Sequence, residues 1–225
     1  MFKLSPRLSL CANMVRDNKK IVDIGTDHAY LPIWLAKAGK VNHAIAADVK
    51  EGPLNSAIFN IKKYHVENIV ETRLSNGLSK IYPYEVDDII IAGMGGELII
   101  EIIKYASWIK NGKRLILQPM SRAYDLRKFL IDNSYDVFDE KAVLSDERVY
   151  TVLNVGFKEN ITSKSKLFPY IGLLDKGNIG EIEKRYILTQ ISHLKNKILG
   201  LNLKNLSNEA DELKDIMNEL ENLIK

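Results

Sequence analysis

One cysteine, Cys11, and four scattered histidines are all that the 225 residues offer to disulfide or zinc chemistry. A single thiol excludes an intrachain disulfide, and the histidines have no zinc-ligand spacing, so no metal site is expected. Long apolar runs are missing as well. The opening "MFKLSPRLSLCANMV" is interrupted by Lys3, Pro6 and Arg7, which denies it a secretory h-region, and no later run reaches membrane-spanning length. No membrane association is expected, and the cytoplasm is the expected location. Nor is there a strong charge of one sign: the net +3 is too small to identify a nucleic-acid partner by itself. What is present is 46% hydrophobic and 27% charged residues, enough for one sizeable core and a small second unit.

From about Ile21 to Phe157, short β-branched apolar runs alternate with amphipathic segments, the order of an α/β fold with a mostly parallel sheet. Strands are expected at "KIVDIG", "HAIAAD", "IVETRLS", "DDIIIAG" and "KRLILQP", most of them apolar enough for burial on both faces. Helices are expected at "LPIWLAKAG", opening at Pro32, and at "GPLNSAIFNIKKYH", "GELIIEIIKYASWIK" and "AYDLRKFLIDNS". "YDVFDEKAVLSD" and "RVYTVLNVGF" follow each other with no helix between, which predicts an antiparallel hairpin at the sheet edge. Ser5 and Pro6 predict a helix start near the N-terminus, running to about Asp17.

After a polar linker, "KENITSKSK", the period changes. Ile187, Ile191, Leu194, Ile198 and Leu201 form one stripe; Leu206, Ala210, Leu213, Met217, Leu220 and Ile224 form a second. An antiparallel helical, coiled-coil-like hairpin about "GLNLKN" follows, with Leu206 and Leu213 expected against Ile198 and Ile191. The division expected is 1–158 for the α/β unit and 159–225 for the hairpin. Residues 178–204 hold five Lys/Arg against two Glu, net +3; residues 205–225 hold two Lys against six acids, net −4. The two helices are complementary in charge, and the basic one is free to face a polyanion as well.

Glycine is scarce where a nucleotide-binding turn most needs it. In an open α/β sheet, ligands bind at the carboxyl ends of strands, where strand order reverses. In "DIGTDHA" only Gly25 is kept; Asp27 and Ala29 stand where a G-x-G-x-G turn has glycine. An anionic Asp27 repels a pyrophosphate, whereas a cofactor with cationic groups and no phosphate, such as S-adenosylmethionine, is compatible with an acidic turn. Asp48, with Val49 after it, ends "HAIAAD" about 20 residues on, the place of an acid that accepts from ribose hydroxyls. Asn76 and Gly77 in "SNG" offer an amide to an adenine edge, or merely a turn. Gly93, Met94 and Gly95 in "IAGMGGE" let the backbone pass close to a ligand. Together these signals predict a Rossmann-like class I methyltransferase fold.

The composite of "LSPRL", "VDIGTDHAYLP", "GPLNSA", "IIAGMGGE", "LQPM" and the terminal hairpin resembles the TrmK family of bacterial tRNA (adenine-N1)-methyltransferases. The resemblance spans nearly the whole chain. It implies methylation of adenine 22 of tRNA, S-adenosylmethionine as cofactor, and a helical domain that assists tRNA binding. It also implies that Gly25, Asp27, His28, Asp48, Asn76, Gly93, Met94 and Gly95 lie in or beside the cofactor pocket. Asp48 stands where glutamate is expected in that family and Asn76 where aspartate is common. Adenine N1 needs no deprotonation before attack, so Asp27 and Tyr30 are expected to orient the base rather than act as strong bases. Arg7 is expected to touch RNA, because a cation in the first turn opposes the helix dipole. Lys184, Arg185, Lys195 and Lys197 are expected on the RNA side, with Lys3, Arg16, Lys19 and Lys20 extending a phosphate track. A small-molecule methyltransferase and a non-catalytic cofactor-binding module remain alternatives; oligomeric state is open, with a monomer favoured.

Overall fold

A computed structural model describes residues 2–161, 164–204 and 206–225. Thr162 and Ser163 of the expected linker and Asn205 of the "GLNLKN" turn lie outside the described residues. Seven strands form one sheet in the order β3-β2-β1-β4-β5-β7-β6: β1 (Lys19–Ile24), β2 (Val41–Asp48), β3 (Val70–Leu74), β4 (Asp88–Gly95), β5 (Arg114–Ser121), β6 (Tyr135–Ser145) and β7 (Arg148–Phe157). The first five are parallel, and β7 runs antiparallel to both β5 and β6. Chain order reverses between β1 and β4, so the crevice for a ligand opens above those two strands. The β6–β7 hairpin turns on Asp146 and Glu147, both at positive φ, the conformation whose twist matches a two-residue hairpin.

Alternation along the central strands sorts the core onto two faces. Val22, Ile24, Ile89, Ile91, Leu115 and Leu117 pack under α4 (Gly96–Lys104) and α5 (Ala123–Asp132). Ile21, Ala44, Ala46, Ile90 and Ile116 pack under α1 (Pro6–Met14), α2 (Tyr30–Lys37) and α3 (Glu51–Lys63). Asp23 shares this second face and is 8% exposed, a carboxylate among aliphatic side chains.

Several boundaries differ from expectation. Helix α2 opens at Tyr30, with Ala29 at its N-cap in the left-handed region; Pro32 is its third residue, still within the turn whose N–H groups have no helical partner. Helix α1 stops at Met14 because Val15 is extended and Arg16 turns to bind Asp88, its backbone N–H and Nε donating at 2.9 and 2.8 Å. The expected single helix over 96–110 ends at Lys104 and resumes as a 3₁₀ turn at Ser107–Lys110, since the chain has only residues 111–113 left in which to turn into β5.

Beyond β7, a short helix α6 (Phe168–Ile171) precedes the hairpin of α7 (Glu181–Leu203) and α8 (Ser207–Leu223). Their core of Ile171, Ile187, Ile191, Leu194 and Leu220 continues onto Ala142 and Val149 of the sheet hairpin. The expected register is shifted. Lys195 Nζ lies 3.2 Å from Glu221, which sets α7 against the C-terminal part of α8; Leu206 caps α8 and is 42% exposed, outside that core. A buried ion pair joins the two parts: Arg127 Nη2 donates to Glu140 at 2.6 Å, with both side chains fully buried. Arg127 also donates to the Pro169 and Tyr170 carbonyls at 3.2 and 2.9 Å and to the Tyr186 hydroxyl at 3.0 Å.

Candidate active site

The C-terminal ends of β1, β2, β3 and β4 bring the expected cofactor residues to one edge of the sheet. Gly25 follows β1 at φ +76, and its N–H, like that of Thr26, donates to the Ala47 carbonyl, at 2.8 and 3.0 Å. A Cβ at Gly25 would sit 2.1 Å from the Met94 methyl, so the β1 turn and the end of β4 pack directly on each other. Gly93 lies at φ +79, and its N–H donates to Gln118 Oε1 at 3.0 Å. Asp48 ends β2, where its Oδ1 accepts from the Lys50 N–H at 2.8 Å; this is the helix-start role a plain structural acid would have, and it engages one oxygen of the two. Val49 beside it is exposed. The Ser75 N–H donates to the Asp48 carbonyl at 2.8 Å, which brings Asn76, exposed, and Gly77 next to the acid.

On the other side of Gly25, Asp27 is exposed and its Oδ2 is 3.2 Å from His28 Nε2. The His28 and Tyr30 rings are 5.3 Å apart, and Phe2 flanks Tyr30 at 5.2 Å. Asn60 of α3 donates to the His28 carbonyl at 3.1 Å and fixes this turn. His28, Tyr30, Phe59 and Asn60 border an opening of about 450 Å³, with Phe59 two-thirds exposed at its rim. Exposed aromatic faces at a strand-end crevice suit a flat heteroaromatic ring.

Two residues at this edge, Asp23 and Gln118, carry chemistry that the sequence pattern did not single out, and a third, expected on the RNA side, lies beside them. Burial, helped by the charge of Asp48, pushes the Asp23 carboxyl up to about 7, with Thr26 partly offsetting the rise. A buried acid that ionises only near neutrality is poised to gain from a bound cation. The sequence signal was its place two residues before Gly25, at the end of the strand. Gln118 of β5 is fully buried and accepts from Gly93. The third is Arg7, whose Nη1 donates to Gln118 Oε1 at 3.2 Å and lies 3.3 Å from where a Gly93 Cβ would be. Helix α1 therefore aims Arg7, half-buried, at the strand-end turn beside Gly93. Cys11 beneath it is inert: burial, together with Asp23, raises its thiol to about 12.

The other expected RNA residues do not form one track. Arg16 is engaged by Asp88, and Lys19 and Lys20 begin β1, at the end of the sheet away from the crevice. Lys195 is tied to Glu221, while Lys197 is exposed on α7. Lys184 lies 4.0 Å from Glu181, and Arg185 donates to the Glu147 carbonyl of the hairpin turn. Among the described residues no group of His, Cys, Asp and Glu is arranged to hold a metal, and no helix is long and apolar enough to cross a membrane.

A family model described as a methyltransferase domain matches residues 4–153. The tRNA (adenine(22)-N(1))-methyltransferase of Bacillus subtilis is 38% identical over 152 residues, which make up 67% of this chain and 64% of that one. The match therefore spans a little under two thirds of that relative. The crystal structure of the B. subtilis m1A22 tRNA methyltransferase TrmK superposes with a TM-score of 0.86 at 28% identity and covers all of both chains. TrmK of M. capricolum, solved with its cofactor product S-adenosylhomocysteine, gives 0.82 at 27% identity, again over both whole chains. The family model stops before β7 ends, while the structural likeness continues through α8.

Proposed function

This chain belongs to the methyltransferase-domain family, and from that premise we propose that it transfers a methyl group from S-adenosylmethionine to N1 of adenine 22 in tRNA. The observation that carries the reading is the crevice itself: a single-glycine turn rich in acids, with a buried carboxylate below it and exposed aromatic rings on one side.

The residues present fit the cofactor. Asp23, costly to ionise alone, is relieved by an ammonium group, and Arg7 across the same turn suits a carboxylate; together they match an amino-acid zwitterion. The open oxygen of Asp48 accepts from ribose hydroxyls, and Asn76 offers its amide to an adenine edge. Gly25 and Gly93, both at positive φ, let the backbone approach closely. S-adenosylmethionine, when bound, supplies a methyl group on a cationic sulfur.

The chain's own part is orientation. Asp27 accepts from the exocyclic amine of the target adenine and steadies the positive charge that the ring acquires, while Tyr30, flanked by Phe2 and His28, gives the base a face to stack on. His28 holds Asp27 in place on the cofactor side. No strong base is needed, because N1 already carries an in-plane lone pair. The base must leave its stack to reach this site, at a cost of a few kcal/mol. Residues 159–225 act as the tRNA-binding accessory unit, with Lys184, Arg185 and Lys197 toward RNA, in a monomeric cytoplasmic protein. The test is methyl transfer to an unmodified tRNA transcript carrying adenine at position 22 and to one carrying guanine there. Transfer to the first alone is expected; equal transfer to both, or to neither, contradicts the reading.

A further inference from the structure

A cleft of about 620 Å³ lies between the sheet and α7, apart from the cofactor turn. One wall is the end of β5 and the start of α5, from Pro119 to Asp125; a second is the β6–β7 turn with the beginning of β7; the third is a face of α7 that includes Arg185, Thr189 and His193. Its position ties it to the site, because Ser121 on the first wall is the strand partner of Gly95 on β4.

We propose that this cleft holds the single strand of tRNA flanking the target adenine, with its phosphates between Arg148 and Arg185; the inference rests on the tRNA reading above. Charge comes first. Arg122, Arg148 and Arg185 all line the opening, against the carboxylates of Asp125 and Glu147, which leaves a net positive charge. Arg122 is balanced by Glu97 and Asp125, at 2.7 and 2.9 Å, whereas Arg185 spends one N–H on a backbone carbonyl and keeps its charge. Apolar surface comes second. Met120 is 41% exposed and Tyr124 36%, and Tyr150 adds a ring, the combination of cations and flat faces by which proteins track single strands without reading sequence. The walls are also held rigidly: Arg127, fully buried behind them, binds Glu140 of β6, Thr151 of β7 and Tyr186 of α7 at once, so the cleft has a fixed width. Its volume of about 620 Å³ lies within the range of ligand pockets, about 300–1,000 Å³, enough to seat part of a single strand. A base extruded at Tyr30 needs its neighbours held; the cleft lies on the far side of the β4 turn from the cofactor acids, where a strand does not collide with them.

The test uses the full chain and tRNA transcript, with KM and kcat measured separately and S-adenosylmethionine affinity measured by calorimetry. Arg148→Glu with Arg185→Glu is expected to raise KM for tRNA roughly tenfold, and to flatten the slope of log affinity against log salt by about 2. Saturating kcat and cofactor affinity stay near wild type. Because Arg185 also holds the hairpin turn, the neutral Arg148→Gln decides the matter if the double variant melts early: it is expected to flatten the salt slope by about 1. An unchanged KM and salt slope in a folded double variant, or in Arg148→Gln, overturns the cleft while leaving tRNA methylation standing. A wild-type protein that binds cofactor but methylates no tRNA overturns the reading beneath it.

Discussion

At the ends of β1, β2 and β4 the crevice is held mostly by backbone: the Gly25 and Thr26 N–H groups bond to the Ala47 carbonyl and the Ser75 N–H to that of Asp48, with the Gln118 side chain accepting from the Gly93 N–H. At the seam between the sheet hairpin and α7, the structure is held by side chains around one buried guanidinium, Arg127. The difference has consequences for substitution. Side chains on the crevice rim are free to serve a ligand, so changing them costs function and little stability. A side chain inside the seam is structural throughout, and losing one strands a charge where water cannot reach it.

The largest effect is expected where the contrast is sharpest. Glu140→Ala leaves Arg127 buried without its carboxylate and is expected to cost about 3–5 kcal/mol of stability, read by urea unfolding. Arg127→Met combined with Glu140→Leu should recover most of that loss, because no charge is then left unpaired. A loss under about 1 kcal/mol from Glu140→Ala would mean that the seam is held by its apolar contacts alone.

Asp27→Ala is the corresponding break at the crevice. It is expected to slow methyl transfer by about 10²-fold or more, the scale of losing an electrostatic contact made to the reacting group. Its melting temperature should stay close to wild type and its cofactor affinity should fall far less than its turnover, since Asp27 is exposed and its contact among the described residues is to His28. Equal losses in stability and cofactor binding, with normal turnover in the folded fraction, would make Asp27 a turn residue.

Asp48→Ala sits between these two. It is expected to weaken S-adenosylmethionine binding by about 1.5–3 kcal/mol, the value of hydrogen bonds to a charged acceptor, because the ribose hydroxyls lose their partner. Should calorimetry show the same affinity as wild type, the bond to Lys50 would be the whole role of Asp48. The smallest effect belongs to Lys197→Glu. Lys197 is exposed on α7 and does not line the cleft, so tRNA affinity should fall only modestly, with a salt slope flatter by about 1. A loss as large as that of the Arg148 and Arg185 pair would move the RNA path out onto the hairpin.

The same contrast explains what was legible in the sequence. Parallel strands buried on both faces write themselves as short apolar runs, so the placing of Gly25, Asp48, Asn76 and Gly93 at or beside strand ends, where ligand turns fall, was legible by position alone. Asp23 was passed over because a single acid in an apolar strand has no periodic signature; its meaning comes from α1 folding over it. The seam was not legible. Phe168 and Ile171, which bridge the main core and the hairpin core, lie in a short apolar run broken by Pro169 and Gly172, too short to show a helical period. Most of each hairpin stripe packs as expected, with Leu206 outside the core, but α7 and α8 carry several compatible registers. The pairing of Lys195 with Glu221 comes from side-chain geometry rather than from spacing. For Arg7 the conflict with the helix dipole is visible in the sequence, whereas the Gln118 side-chain oxygen that its guanidinium reaches is 111 residues away.

The central claim is that an acidic, single-glycine turn selects a cationic cofactor without phosphates, with Asp23 as its buried counter-charge. The measurement that tests it most directly is calorimetric titration of the protein with S-adenosylmethionine and with NAD across pH 6 to 8. Asp23 is protonated below about 7, and a cation binds the ionised form. Affinity for S-adenosylmethionine should therefore rise as pH increases through about 7 and then level off; Asp23→Asn should bind more weakly with that rise removed, and NAD should give no binding heat. A pH-independent affinity that Asp23→Asn leaves unchanged, or NAD binding as tight as that of S-adenosylmethionine, would contradict the account.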